Sequence, residues 1–293
     1  MDYQTIDQLI IAMDFADDPE KLNMLKSAGK EFYINREKHW FVVAEDGSCA
    51  LFDKECKIDD LSKVKCICKK MIRDDIKKIN IPNSVEMIKE YTFFNCKYLE
   101  YVNIPDSVKR IDMSAFAGCK SLTSINISDS VEYIGGRVFN NCRSLTSINI
   151  PNSVERIKQG TFNVCASLTS IIIPDSVRSI EDHAFIGCTS LTSINIPDSV
   201  KYIGDWAFSM CKSLKSISIP NSVESIESYV FNDCISLTRV NIPDSVTIIR
   251  DWAFSNCTSL EHINIPDSVE SIERGAFDSC TSLKSINIPD SVF

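Results

Sequence analysis

Apolar and polar positions alternate along most of this chain with a period of 23 residues that never slips. Around residue 120 the apolar places are Cys119, Leu122, Ile125, Ile127, Val131, Ile134 and Phe139, and each recurs one period later with small drift. The phenylalanine column runs from Phe93, Phe116 and Phe139 to Phe277 without an insertion, and the valine column from Val85 to Val292 keeps the same step. Nine complete units fill 73–279, and fourteen residues of a tenth end at Phe293. Within a unit, the spacing of Leu122, Ile125 and Ile127 predicts a short strand with both isoleucines on one face and Ser124 and Asn126 on the other. Proline then stops the strand, an Asp-Ser or Asn-Ser pair makes a turn, and Val131 with Ile134 begins a second extended piece. The last seven residues, such as GDWAFSM at 204–210, make one helical turn or an irregular arc.

A single unit cannot fold. It points about seven sizeable apolar groups inward, each worth roughly 1.5–3 kcal/mol on burial. Against this stands roughly 1–2 kcal/mol of backbone entropy for every residue fixed. Stacked units share faces and join their strands into a parallel sheet, so stability accumulates by nearest-neighbour contacts. The reading is an α/β solenoid over 73–293.

Residues 1–72 fall outside the period. TIDQLIIAM and DPEKLNMLKSAG predict short helices, the second with Asp18 as N-cap and Pro19 in its first turn. WFVVAEDGSCALFD predicts a hairpin turning at Asp46-Gly47. LSKVKCI at 61–67 mimics a unit's strand but is out of register with Ile76. Together they read as a small α+β N-terminal cap over the first open coil. At the other end Ile286, Ile288 and Val292 lack a cover. That edge implies docking on a partner, self-association as a homodimer across a two-fold, or a longer array.

Composition narrows the chemistry. Forty acidic against 31 basic residues give a net charge of −9, which argues against a nucleic-acid partner, since phosphate binding needs clustered Lys and Arg. The N-terminus is acidic and interrupted by Asp7 and Asp14, unlike a secretory signal, and no apolar run is long enough to span a membrane. The expectation is a cytoplasmic chain without membrane insertion.

Nine of the 13 cysteines stand one period apart, from Cys96 to Cys280, and so form a line rather than the converging set zinc requires. They read as buried reduced thiols acting as small hydrophobes. Cys49, Cys56, Cys66 and Cys68 with His39 are the alternative cluster, on which a metal-binding or catalytic N-terminal module carried by a passive rod would rest. No cofactor is expected, and no enzyme, because catalysis needs unlike groups to converge whereas an array presents like groups in columns.

The L-x-x-I-x-I strand signal, with C-x-S-L before it, P-x-S-V after it and I-x-x-x-A-F closing the unit, resembles the BspA-like class of leucine-rich repeats. The resemblance spans 73–293. It implies a right-handed curved stack with a concave parallel β-sheet used as a binding surface, and adhesins or surface proteins that bind other proteins. Cell-surface or secreted placement is therefore the alternative to the cytoplasm. The resulting expectation is a non-enzymatic interaction or adhesion scaffold for a protein partner, with self-assembly through the C-terminal end as the alternative.

Two columns carry the candidate contacts. On the strand face the recurring Ser is replaced by Lys78, Tyr101, Arg239 and His262. With the Asn column beside it, this face implies either inter-coil amide and hydroxyl ladders or a polar ligand-contact face. Two residues before the repeated Phe stand His183, Trp206, Tyr229 and Trp252 in consecutive units, with Tyr202 near them; they read as core-flanking packing, with exposed aromatics anchoring an interface as the alternative.

Overall fold

The computed structural model describes residues 77–81 and 83–292, together with the strands Phe32–Asn35, His39–Val42 and Cys66–Ile67. Successive 23-residue units stack as coils tied by three hydrogen-bonded columns. The first is a parallel ladder of the L-x-x-I-x-I segments. Lys78 pairs with Tyr101, Ser124 with Ser147, Ser216 with Arg239 and His262 with Ser285, each 23 residues on. Single bridges at Asn103–Asn126, Asn149–Ile172 and Ile172–Asn195 carry it through the middle coils. Its inward residues, such as Ile79, Val102 and Val240, are buried between exposed neighbours, as a period of two requires.

The second ladder joins the pieces that follow the turn. Met87–Ile88, Arg110–Ile111 and Tyr133–Ile134 pair in parallel, and the same pattern returns at Arg156–Ile157, Ser179–Ile180 and Tyr202–Ile203. Cys66–Ile67 pairs in parallel with Met87–Ile88. Cys66–Ile67, at the end of the 61–67 stretch that mimics a unit's first strand, therefore pairs in the second ladder, and residues 61–65 lie outside the described residues.

The third column is the closing arc. No helix occurs among the described residues, so the arc is irregular rather than a helical turn. Its backbone alternates hands. The residues two before and two after each Phe take positive φ, as at Tyr91 (56°), Asn95 (60°), Trp206 (59°) and Met210 (60°). The alternation separates the amides into two sets. The N–H groups of Tyr91, Phe93 and Asn95 donate to Met113, Ala115 and Ala117 of the next coil at 3.1, 2.7 and 2.8 Å, while those of Phe94 and Cys96 donate within their own coil to Tyr91 and Phe93. Every second peptide thus binds coils together, satisfying buried backbone without regular secondary structure.

Side chains repeat the same logic. The rings of Phe93 through Phe277 stack nearly parallel, with centroids 4.8 to 5.8 Å apart. The Ser of each P-x-S-V turn donates to the preceding coil's Val carbonyl, as Ser107 does to Val85 and Ser199 to Val177 at 2.7 Å. Each thiol from Cys119 to Cys280 donates to a Phe carbonyl 26 residues back: Cys119 to Phe93 and Cys188 to Phe162, both at 3.2 Å. The cysteines are therefore buried hydrogen-bond donors as well as hydrophobes, and all nine from Cys96 to Cys280 are free thiols.

The N-terminal helices expected at TIDQLIIAM and DPEKLNMLKSAG lie outside the described residues, as does the Asp46-Gly47 turn. His39–Val42, expected to open a hairpin toward that turn, pairs antiparallel with the upstream Phe32–Asn35, with Asn35 opposite His39. At the last coil Ile286 and Val292 are half-buried, and Ile288 is 55% exposed where its equivalents Ile242 and Ile265 are 6% and 2%.

Candidate functional site

Two surfaces hold the candidate residues. On the first ladder Lys78, Tyr101, Arg239 and His262 are all exposed. The register gathers them into two pairs, one at each end of the ladder. Lys78 sits beside Tyr101, while Arg239 and His262 lie on the neighbouring strands Arg239–Asn241 and His262–Asn264.

Between them the face is Ser, Thr and Asn except at Ile172 and Lys215. The inter-coil ladder expected of asparagine is mostly made by threonine: Thr146 donates to the Thr123 carbonyl at 3.1 Å and Thr169 to that of Thr146 at 3.4 Å. Asn149 does bridge to Ile127, accepting from its N–H at 3.1 Å, and Asn241 reaches Ser218 Oγ at 3.5 Å. The other Asn side chains face outward. Tyr101, Asn103, Ser124, Asn126, Ser147 and Asn149 line a groove along this face.

Ile172 is the residue the column reading passed over. It occupies an asparagine place at the middle of the ladder and is 81% exposed, with Tyr101 at 47%. The signal was present as IIIP where other units read INIP. A β-branched apolar residue held open to water between Asn149 and Asn195 gains nothing from the core.

The aromatic column is real but differently used. His183, Trp206, Tyr229 and Trp252 stack face to face, with centroid distances of 6.3, 3.9 and 6.3 Å and interplanar angles of at most 10°. Each sits at positive φ, between 57° and 59°. Such a backbone costs roughly 1–2 kcal/mol for a residue with a side chain, which the stack offsets. Glycines at the same place end it. A Cβ on Gly275 would lie 2.7 to 2.9 Å from the Trp252 ring, which therefore covers that glycine, and Gly160 precedes His183. The ring faces are spent on one another, all four residues are half-buried, and the indole Nε1 of Trp252 is buried without a hydrogen-bond partner.

Tyr202 makes no ring contact with the stack among the described residues. It stands on the second ladder with its hydroxyl 3.4 Å from Asp182 Oδ1. Burial, then the carboxylates of Asp182, Glu227 and Asp205, push that hydroxyl up to about 12.

The three histidines stay apart by position, His183 in the stack, His262 on the strand face and His39 in an N-terminal strand. Among the described residues no three His, Cys, Asp or Glu side chains converge to hold a metal. The cluster of Cys49, Cys56, Cys66, Cys68 and His39 falls outside the described side chains. No helix among the described residues is long and apolar enough to cross a membrane.

A model of the BspA-type leucine-rich repeat region matches in six copies over 71–192 and 178–293. Among solved structures, a leucine-rich repeat protein from Bacteroides ovatus is 28% identical, covering 90% of this chain and 88% of that one, with a TM-score of 0.54. A leucine-rich cell-surface protein from Faecalibacterium prausnitzii is 25% identical over 88% of this chain and 94% of that one, with a TM-score of 0.41. The pneumococcal vaccine antigen PcpA is 21% identical over 80% of this chain and 56% of that one, at a TM-score of 0.50, a likeness of fold. No curated protein matches the chain by sequence. The matched stretches contain every stacked coil, and the chain belongs to the BspA-type leucine-rich repeat family.

Proposed function

We propose that this chain is a non-enzymatic scaffold that holds a protein partner on its strand face. Ile172 and Tyr101 are the apolar anchors, and the Lys78 and Arg239–His262 ends set orientation. The observation that carries this reading is Ile172, 81% exposed at the centre of a mostly Ser, Thr and Asn surface. Anchors of this kind, ringed by polar groups, supply most of the energy of an interface. The half-buried His183–Trp252 stack serves chiefly to support its arc. The interaction and adhesion roles of the family favour the same assignment, and surface placement follows from it more naturally than the cytoplasm.

The test is capture of partner proteins on immobilised chain, with Ile172→Asp, Tyr101→Ala and a Trp206→Ala/Tyr229→Ala/Trp252→Ala variant side by side. Ile172→Asp is expected to weaken capture by roughly 30-fold or more, the loss typical of a central anchor. Its melting temperature should stay unchanged. Capture untouched by Ile172→Asp, yet lost in a folded triple variant, would move the site to the arc.

A second reading, self-association through Ile286, Ile288 and Val292, is favoured by the exposure of Ile288. It predicts a concentration-dependent dimer in sedimentation that Ile288→Lys abolishes; a monomer at all concentrations removes it.

A further inference from the structure

Among its charges the strand face differs in sign from the rest of the molecule. The chain carries −9 overall, yet the three outward columns of the first ladder, from residue 77 on, hold five Lys or Arg and only two carboxylates, Glu100 and Glu261. Elsewhere some of the cations are paired with carboxylates. Arg110 meets Asp112 at 2.5 Å, Arg156 lies 3.9 Å from Glu181, and Arg250 meets Glu227 at 2.8 Å and Glu273 at 3.5 Å. On the strand face Glu261 is taken by Lys284 at 2.8 Å. Lys215 and Arg239 have no ion-pair partner among the described residues, and both are exposed.

We infer that the segment this face receives is an acidic polypeptide, and that Lys215, Arg239 and His262 form the site that takes its carboxylates; this rests on the strand-face binding proposed above. The three residues occupy consecutive coils. At about 4.8 Å per ladder step they span on the order of 10 Å, the reach of roughly three extended residues. Ser216 pairs directly with Arg239, and Ser218 with Asn241. Hydroxyl and amide donors therefore flank the guanidinium, suited to carboxylate oxygens. Attraction to this patch and repulsion from the acidic remainder orient an acidic segment along the face and exclude it elsewhere. A nucleic acid fits less well, because its continuous phosphate charge would run past three cations into a surface of like sign.

Fluorescence anisotropy on the full chain tests this with a labelled decapeptide of alternating Glu and Ser. A Lys-Ser decapeptide and a ten-residue oligodeoxythymidylate are the controls. The Glu-Ser peptide is expected to bind at low salt, to weaken as salt rises, and to lose roughly tenfold or more in Lys215→Ala/Arg239→Ala/His262→Ala. Arg239→Glu alone should act in the same direction, and Lys-Ser binding should not change. No Glu-Ser binding, equal binding by both variants, or tighter oligodeoxythymidylate binding through the same residues overturns the inference. If Ile172→Asp still abolishes partner capture in that event, the strand face stands and only its acidic specificity falls. Peptide binding with partner capture insensitive to Ile172→Asp shows the reverse.

Discussion

Raising the pH above about 9 is expected to unfold the array steeply, with the thiol column as the cause. Burial pushes the thiols of Cys142, Cys188 and Cys234 from the ordinary 9.0 up to about 12. It moves Cys165, Cys211 and Cys257 well up in the same direction, reinforced by neighbouring thiols. A folded value above the unfolded one means that at alkaline pH the unfolded chain has released protons the folded chain retains. The stability contributed is complete below 9, and it is lost as pH climbs toward 12. Each thiol brings about 1.4 kcal/mol per pH unit in that window, and six together bring on the order of 8 kcal/mol per unit. A folding free energy of about 5–15 kcal/mol is exhausted within roughly two units. Circular dichroism against pH, followed together with thiolate absorbance, should show both changes in one transition. Replacing Cys165, Cys188 and Cys211 by Ala should make the loss shallower by about half. An unchanged slope in a folded variant would remove the thiols as its cause.

The largest effect of a single substitution is expected at Phe208→Ala. The ring is fully buried and stacked 5.3 Å from Phe185 and 5.8 Å from Phe231. Truncation leaves a cavity costing about 3–5 kcal/mol. In an array held by neighbour contacts, that loss falls on two interfaces at once. The urea transition should drop in midpoint and flatten as the coils on either side unfold separately. Phe277→Ala should cost distinctly less, since Phe277 is only partly buried and stacks on the single ring of Phe254. Equal losses at the two positions would contradict a neighbour-coupled stack.

The strand-face exceptions show how far a residue pattern reaches into function. Lys78, Tyr101, Arg239 and His262 were legible as departures from a serine column, and their pairing at the two ends follows from the register. Ile172 was legible only as one letter in an asparagine column, and threonine hydroxyls make most of the inter-coil side-chain bonds of that face. Tyr202 stands near the aromatic column in sequence, but its side chain belongs to the second ladder and makes no ring contact with the stack among the described residues. The stacked rings were visible as a column, whereas their left-handed backbone and half-burial were not.

The unbroken 23-residue step by itself determined the solenoid and which residues share a column, because units of equal length can stack only with each residue over its equivalent. Where each bond goes was decided by the tertiary structure alone. Cysteine thiols reaching Phe carbonyls, serine hydroxyls reaching Val carbonyls and alternate arc amides crossing between coils all depend on the backbone path between strands. Periodicity says that two residues are neighbours, but only the φ at each arc position decides which way their peptides and side chains point.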